Sequence, residues 1–144
     1  MNLSNPAELK NNQAEILEVL DLFVKGLRDK DTEIWRKLFI KEGAHYAFRK
    51  KEDGSWVPNY RKPDEWLSIL AVEERNLDQL FHNPQIFIRG PIATVWSVYE
   101  LLRGGERSHS GIDAITLLNI DGAWRIFTYV STHEPHAFKE LLGK

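Results

Sequence analysis

Ser108-His109-Ser110-Gly111-Ile112-Asp113, answered further on by Asp121-Gly122-Ala123-Trp124-Arg125-Ile126, decides how this chain folds. The pattern predicts two strands, Arg107 to Leu118 and Trp124 to His133, with a tight turn at Asp121-Gly122 between them. A glycine there supplies the positive backbone angle that a hairpin turn demands. Side chains alternate between faces along a strand, so His109 and Asp113 fall on the same face. A titratable pair on an otherwise apolar strand face points to a pocket.

The β reading extends backwards from this hairpin. Gln85 to Arg89 and Ala93 to Arg103 are rich in β-branched and aromatic residues, and Gly104-Gly105 supplies another hairpin turn. The chain before them is helical. Asn5-Pro6-Ala7-Glu8 offers a cap, a first-turn proline and a capping-box glutamate, and Leu9, Ile16, Leu17, Leu20, Phe23, Val24 and Leu27 recur at helical spacing. A second helix starts at the cap Asp31, buries Ile34, Trp35, Leu38 and Phe39, and ends at Gly43. His45 to Arg49 reads as a strand, Lys51 to Gly54 as a charged turn leading back through Trp56 and Val57, and Pro63-Asp64-Glu65 as the start of a third helix. Val72 to Phe81 suits helix or strand, and is read as a helix end followed by a short strand. Helices first and then an antiparallel meander make an α+β fold with the helices on one sheet face.

Composition narrows the function classes. The chain has 144 residues, 42% of them hydrophobic and 28% charged, the mixture of one globular domain spanning the whole sequence. A net charge of −2 with no sustained basic run argues against nucleic acid. There is no cysteine, which excludes disulfides, thiolate catalysis and zinc–thiolate sites. The polar start from Met1 to Gln13 is no signal peptide, and no stretch reaches the roughly 20 apolar residues of a membrane span. A cytoplasmic location without membrane contact is the expectation. Both faces of the late strands carry apolar residues. On the last, Trp124, Ile126, Thr128 and Val130 alternate with Phe127, Tyr129, Ser131 and His133. A sheet with one wet face should not look like this, so a homodimer packed through the sheet is expected.

The run Gly90-Pro91-Ile92-Ala93-Thr94-Val95-Trp96, Tyr99-Glu100, Ser108 to Asp113, Asp121 to Ile126 and Tyr129 resembles the C-terminal half of the nuclear-transport-factor-2-like superfamily. So does the entry helix followed by Asp29-Lys30-Asp31 and Trp35. The nearest branches are small bacterial proteins called lumazine-binding-like or polyketide-cyclase-like (SnoaL-like). The resemblance implies a cone, a cystatin-like barrel in which a strongly curved antiparallel sheet wraps the N-terminal helices and encloses a cavity. Relatives isomerise ketosteroids, dehydrate or cyclise polyketide-like substrates, or hydrolyse epoxides, and others only bind partners, so the fold does not fix the chemistry. Where ketosteroid isomerases place an oxyanion-hole tyrosine this chain has Phe23, and where they place the base it has Ala47 or Phe48. Asp113 alone matches, at the position of their second aspartate.

With Asp113 facing the pocket, strand alternation adds His109, Ile115 and Leu117. Neighbouring strands add Ser97, Tyr99 and Leu101 on one side and Phe127, Tyr129, Ser131 and His133 on the other, while the helices supply Phe23 and Trp35. An aromatic hollow with a few converging polar groups suits an apolar small molecule. His109 and Asp113 could act as a cofactor-free acid–base pair, assisted by Tyr99 or His133, in a dehydratase, isomerase or cyclase-type reaction. They could equally satisfy one another as structural groups. The competing reading is a non-enzymatic binding or assembly domain that uses its outer sheet face. His133-Glu134-Pro135-His136 is no metal site, because its proline breaks the helix such spacing needs. Trp56, Tyr60 and Trp66 are read as a lid over the cavity or as anchors of their loop.

Overall fold

The computed structural model describes residues 6–143, so the cap read at Asn5 lies outside the described residues. Helix α1 (Pro6–Asp29) buries Ile16, Val19, Leu20, Phe23, Val24 and Leu27, one stripe at three- and four-residue spacing. Leu17 lies beside that stripe and is 43% exposed. The helix stops where Lys30 takes a φ of 55° and the Asp31 N–H donates to the Gly26 carbonyl at 2.9 Å. Asp31 then caps α2 (Thr32–Leu38), its carboxylate accepting from the Glu33 and Ile34 amides at 3.1 and 3.2 Å.

Gly43 does not end that helix. The chain passes at Phe39 directly into strand β1 (Phe39–Lys50), and Gly43 lies in an irregular stretch of it between Phe39 and Ala44. A Cβ at Gly43 would overlap the Phe127 carbonyl oxygen, so the glycine serves close backbone approach. Strand β2 (Trp56–Arg61) forms the edge, and α3 (Pro63–Val72) follows. The ambiguous segment then becomes β3 (Leu77–Arg89), a long strand rather than a short one. It runs through Pro84 because the ladder shifts between His82 and Gln85, with Asn83 at a φ of 47°, and because β3 is itself an edge. Strands β4 (Ile92–Arg103), β5 (Glu106–Ile120) and β6 (Ala123–His133) complete the sheet, followed by a short α4 (Phe138–Leu142). Asp121 and Gly122, with φ of 54° and 85°, form the expected hairpin turn.

The strand order is β2-β1-β6-β5-β4-β3. β1 lies parallel to β6, so the sheet is mixed rather than a pure antiparallel meander, and it is open, with β2 and β3 as edges and not a closed barrel. α1 and α2 pack on the inner face over Val95, Ile115, Leu117 and Ile126.

A bulge in β6 corrects one assignment. Thr128 opposes Thr116 while Ile126 opposes Leu117, which leaves Phe127 as the extra residue. The strand therefore changes face there, and Trp124 and Ile126 join Tyr129 among the buried residues while Phe127 is only half-buried. Part of the apparent two-faced apolar pattern was this switch. The outer face nonetheless keeps Phe87, Ile92 and Trp96 more than half exposed, at 61%, 53% and 51%. Among the described residues no helix is long and apolar enough to cross a membrane.

Candidate functional site

Along β4, β5 and β6 the inward positions turn from hydrocarbon to polar groups at the end of the sheet beneath α3. There they enclose a cavity of about 290 Å³, walled by Phe23, Trp35, Trp66, Leu70 and Leu101 and reached past the exposed Tyr46 and Asn59. His109, Asp113, Tyr99, His133, Tyr129 and Ser131 all line it. Ser97, Ile115 and Leu117 do not. Ser97 is buried with its hydroxyl donating to the Val98 and His82 carbonyls at 2.9 and 3.3 Å, and Ile115 lies fully in the core. Phe127 is turned away by the bulge and lines nothing here.

Asp113 is 1% exposed. One of its carboxyl oxygens, Oδ2, accepts from the Tyr129 hydroxyl at 2.7 Å and from Gln79 Nε2 at 2.9 Å, and Gln79 also donates to the Tyr129 oxygen at 3.0 Å. The other oxygen has no hydrogen-bond partner among the described residues. Burial pushes the carboxyl up to about 8, against the smaller downward pull of Tyr129 and Gln79, so at neutral pH it keeps its proton. Burial, and then the nearby Asp113, hold the Tyr129 phenol well above its ordinary range.

His109 and Asp113 share a face and a cavity, yet no hydrogen bond or ion pair joins them among the described residues. The reason is strand geometry: four residues at about 3.3 Å each set them about 13 Å apart. His109 has its own neighbours. Its Nδ1 lies 3.1 Å from Ser108 Oγ, its ring centroid is 3.7 Å from that of His133, and Tyr99 meets it edge-on at 5.7 Å. Burial, the adjacent His133 and the Arg103 charge lower His109 to about 3, while burial, Arg103 and Arg49 lower His133. Tyr99 reaches across β5 to donate to the Thr132 carbonyl at 2.5 Å, and a Cβ at Gly111, its cross-strand partner, would overlap that same oxygen. The Tyr99 hydroxyl is therefore occupied.

Of the lining residues, Gln79 and Arg103 escaped the sequence reading, and His45, read as a strand residue near the cavity rim, lies deeper than that. His45 is 4% exposed, between Phe39 and Trp66 at 4.6 and 5.3 Å and parallel to Tyr129 at 5.8 Å, and burial lowers it to about 3. Gln79 sat in the stretch whose helix-or-strand character was open. Arg103 is the last inward position of β4, a place legible only once the strand end is known. Trp66 is part of the cavity wall, edge-on to Trp35 at 6.2 Å. Trp56 and Tyr60 are 43% and 45% exposed on β2, where Lys50 approaches Trp56 and Tyr46 packs on Tyr60, and neither lines the cavity. Among the described residues no group of histidine and carboxylate side chains is placed to hold a metal ion.

No protein-family model matches the sequence, and no curated protein sequence matches it. Solved structures do match. A protein of unknown function with a cystatin-like fold from Nostoc punctiforme superposes with a TM-score of 0.71 at 19% identity, over 94% of this chain and 97% of its own. A nuclear-transport-factor-2-like protein from Salmonella enterica gives 0.69 at 13% identity, over 88% and 93%. A candidate dehydratase of that family from Streptomyces avermitilis gives 0.67 at 12% identity, over 86% and 96%. Helices laid on one face of an open six-stranded sheet, and these superpositions across nearly the whole length, show that the chain has the cystatin-like fold of the nuclear-transport-factor-2-like proteins.

Proposed function

We propose that the cavity binds a small, largely apolar aromatic molecule and carries out cofactor-free acid–base chemistry on it, of the dehydration or enolisation type. One observation carries this reading: a fully buried Asp113 lines an aromatic hollow, with one carboxyl oxygen anchored by Tyr129 and Gln79 and the other without a partner among the described residues, a burial that favours the neutral acid. A neutral carboxylic acid held this way is a fixed hydrogen-bond donor for a carbonyl oxygen on which negative charge develops. His45, stacked on the Tyr129 ring, and the His109–His133 pair are uncharged, and an enolate developing beside one of them would favour the imidazolium that burial disfavours. In a dehydration, an imidazole would take the proton α to the carbonyl while Asp113 stabilises the enolate. Loss of the β-hydroxyl, which leaves as water with the abstracted proton, completes the step. The likeness to a candidate dehydratase agrees with this reading at the level of the fold.

The test is deuterium incorporation at the carbon α to the carbonyl of 1-tetralone in D₂O, followed by NMR. Exchange should exceed the buffer rate and fall about a hundredfold or more in Asp113→Leu, which removes the donor, while Asp113→Asn, whose amide still donates, keeps part of it. Exchange at the buffer rate with calorimetric binding intact would leave a binding protein without chemistry, and absence of both would remove the cavity from function.

A second copy of the chain is proposed to cover the outer face of β3 and β4. The exposed Phe87, Ile92 and Trp96 support this, since a monomer seldom leaves so much aromatic surface in water. Such packing leaves the inner cavity free and is compatible with either chemistry or simple binding.

A further inference from the structure

The two ends of the cavity differ in charge. Around Asp113 the hydrogen-bonding groups are the neutral Tyr129 and Gln79, with the cation Arg61 further out on the edge strand beside His45. At the other end, Arg103 lines the wall beside His109 and His133, and its charge is felt by both. Its Nη1 donates to Ser108 Oγ at 2.8 Å, but its Nε is enclosed without a partner, and no carboxylate pairs with it among the described residues. Glu73, also in the lining, feels the Arg103 charge but spends its carboxylate on Arg75 at 2.7 Å. A half-buried guanidinium flanked by imidazoles that stay uncharged, with one neutral hydrogen bond and no carboxylate bonded to it, is costly unless an anion arrives to bond it. Arg61, the other cation in the lining, stands on the edge strand β2.

The space fits a particular size of guest. About 290 Å³ is near twice the ~150 Å³ hollow that holds one benzene ring, room for a bicyclic body or a phenyl with a short chain. Phe23, Trp35 and Trp66 offer ring faces for it.

We infer that the ligand of this cavity is a small aromatic carboxylate, its ring among Phe23, Trp35 and Trp66 and its carboxylate on Arg103 beside His109 and His133. The inference rests on the reading of the cavity as a ligand site and names the chemical class that site takes. A carboxylate accepts from the guanidinium fork at two points and supplies the bonded anion that Arg103 lacks, and it draws a further donor from the imidazole of His109 when Ser108 bonds its Nδ1. Arg103 then anchors one end of the molecule while Asp113, about 13 Å along the sheet from His109, addresses an oxygen at the other.

Isothermal titration calorimetry with 2-naphthoate and its uncharged isostere 2-naphthamide tests this at neutral pH. Naphthoate should bind at least about tenfold more tightly than the amide, the scale of one charge-assisted hydrogen bond. Arg103→Gln should abolish that preference while still binding the amide, which shows that the variant is folded. Arg103→Lys should keep part of the preference, and Arg61→Gln most of it. Equal binding of acid and amide by the native chain, or a preference that survives Arg103→Gln, would overturn the carboxylate and leave the cavity as a ligand site. Binding of neither probe would overturn the cavity reading itself.

Discussion

Asp113→Asn separates a protonated carboxyl at this position from an ionised one. The folded chain holds the Asp113 proton up to about pH 8, against an ordinary carboxyl value of 3.8. Between those values the folded state binds a proton that the unfolded chain has released, so stability falls with rising pH at about 1.4 kcal/mol per pH unit. The contribution is complete below 3.8 and gone above about 8. Across the whole window it amounts to about 6 kcal/mol, comparable to the total stability of a small domain. His45 and His109 act with the opposite sign. Each is neutral in the fold down to about pH 3 but takes up a proton near 6.5 when unfolded, so their contribution is present above 6.5 and lost as pH falls towards 3. The native chain should therefore be most stable near the upper end of the histidine window and weaken from there towards pH 8.

Asparagine has the shape of the protonated acid and no charge to bury, and its carbonyl oxygen can accept from Tyr129 and Gln79 as Oδ2 does. Urea unfolding of both chains between about pH 4 and about pH 8 gives the difference directly, and the histidine terms cancel in it. The two should be nearly equal at the acid end, with the variant several kcal/mol more stable at the alkaline end, about 1.4 kcal/mol gained per unit between. A difference that stays flat with pH, or one in which the native chain gains on the variant as pH rises, would refute the protonated carboxyl.

The other expectations concern packing and assembly. Gly111→Ala sets a methyl group against the Thr132 carbonyl that Tyr99 uses, and should cost about 1–3 kcal/mol in chemical denaturation; an unchanged midpoint would mean that the β5–β6 approach is looser than described. Trp35→Ala removes a side chain that is 1% exposed, stacked on Phe23 at 5.1 Å and bonded through Nε1 to the Phe23 carbonyl at 3.0 Å. A loss of about 3–5 kcal/mol is expected, and a loss below 1 kcal/mol would contradict its place in the core. Phe87→Lys with Trp96→Glu should convert a dimer to monomers in light scattering without moving the thermal midpoint of the monomer, and an unaltered mass would remove that face from assembly.

What the sequence could and could not reveal follows from the range over which each signal acts. Helix caps and hairpin turns are local, and Asp31 and Asp121-Gly122 stand where their chemistry indicates. Gly43 misled because glycine marks both helix ends and close backbone approach, and only the neighbouring Phe127 carbonyl tells them apart. Period-two alternation carries face assignments safely along a strand until a bulge, which is why Ser131 and His133 line the cavity and Phe127 does not. Gln79 bonds Asp113 across 34 positions of sequence, and nothing in its own surroundings marks it as a partner.

One signal for the site is present in the sequence but becomes visible only when three strands are aligned. Inward along β4 run Ala93, Val95, Ser97, Tyr99, Leu101 and Arg103, hydrocarbon first and polar groups later. Along β5 the order is reversed, from His109 and Asp113 to Ile115 and Leu117, and along β6 it turns again, from Trp124 and Ile126 to Tyr129, Ser131 and His133. Because β4, β5 and β6 are antiparallel neighbours, these alternating gradients bring every polar half to one end of the sheet. A core built only for stability has no use for such coherence, since each buried polar group must be matched at the expense of hydrocarbon packing. Asp113 has one oxygen matched by Tyr129 and Gln79 and the other open to the cavity, while Arg103 keeps a buried Nε with no partner and no carboxylate bonded to it. Both unmet groups, Asp113 Oδ1 and Arg103 Nε, belong to the polar end of the sheet, so one guest lying along that end satisfies both.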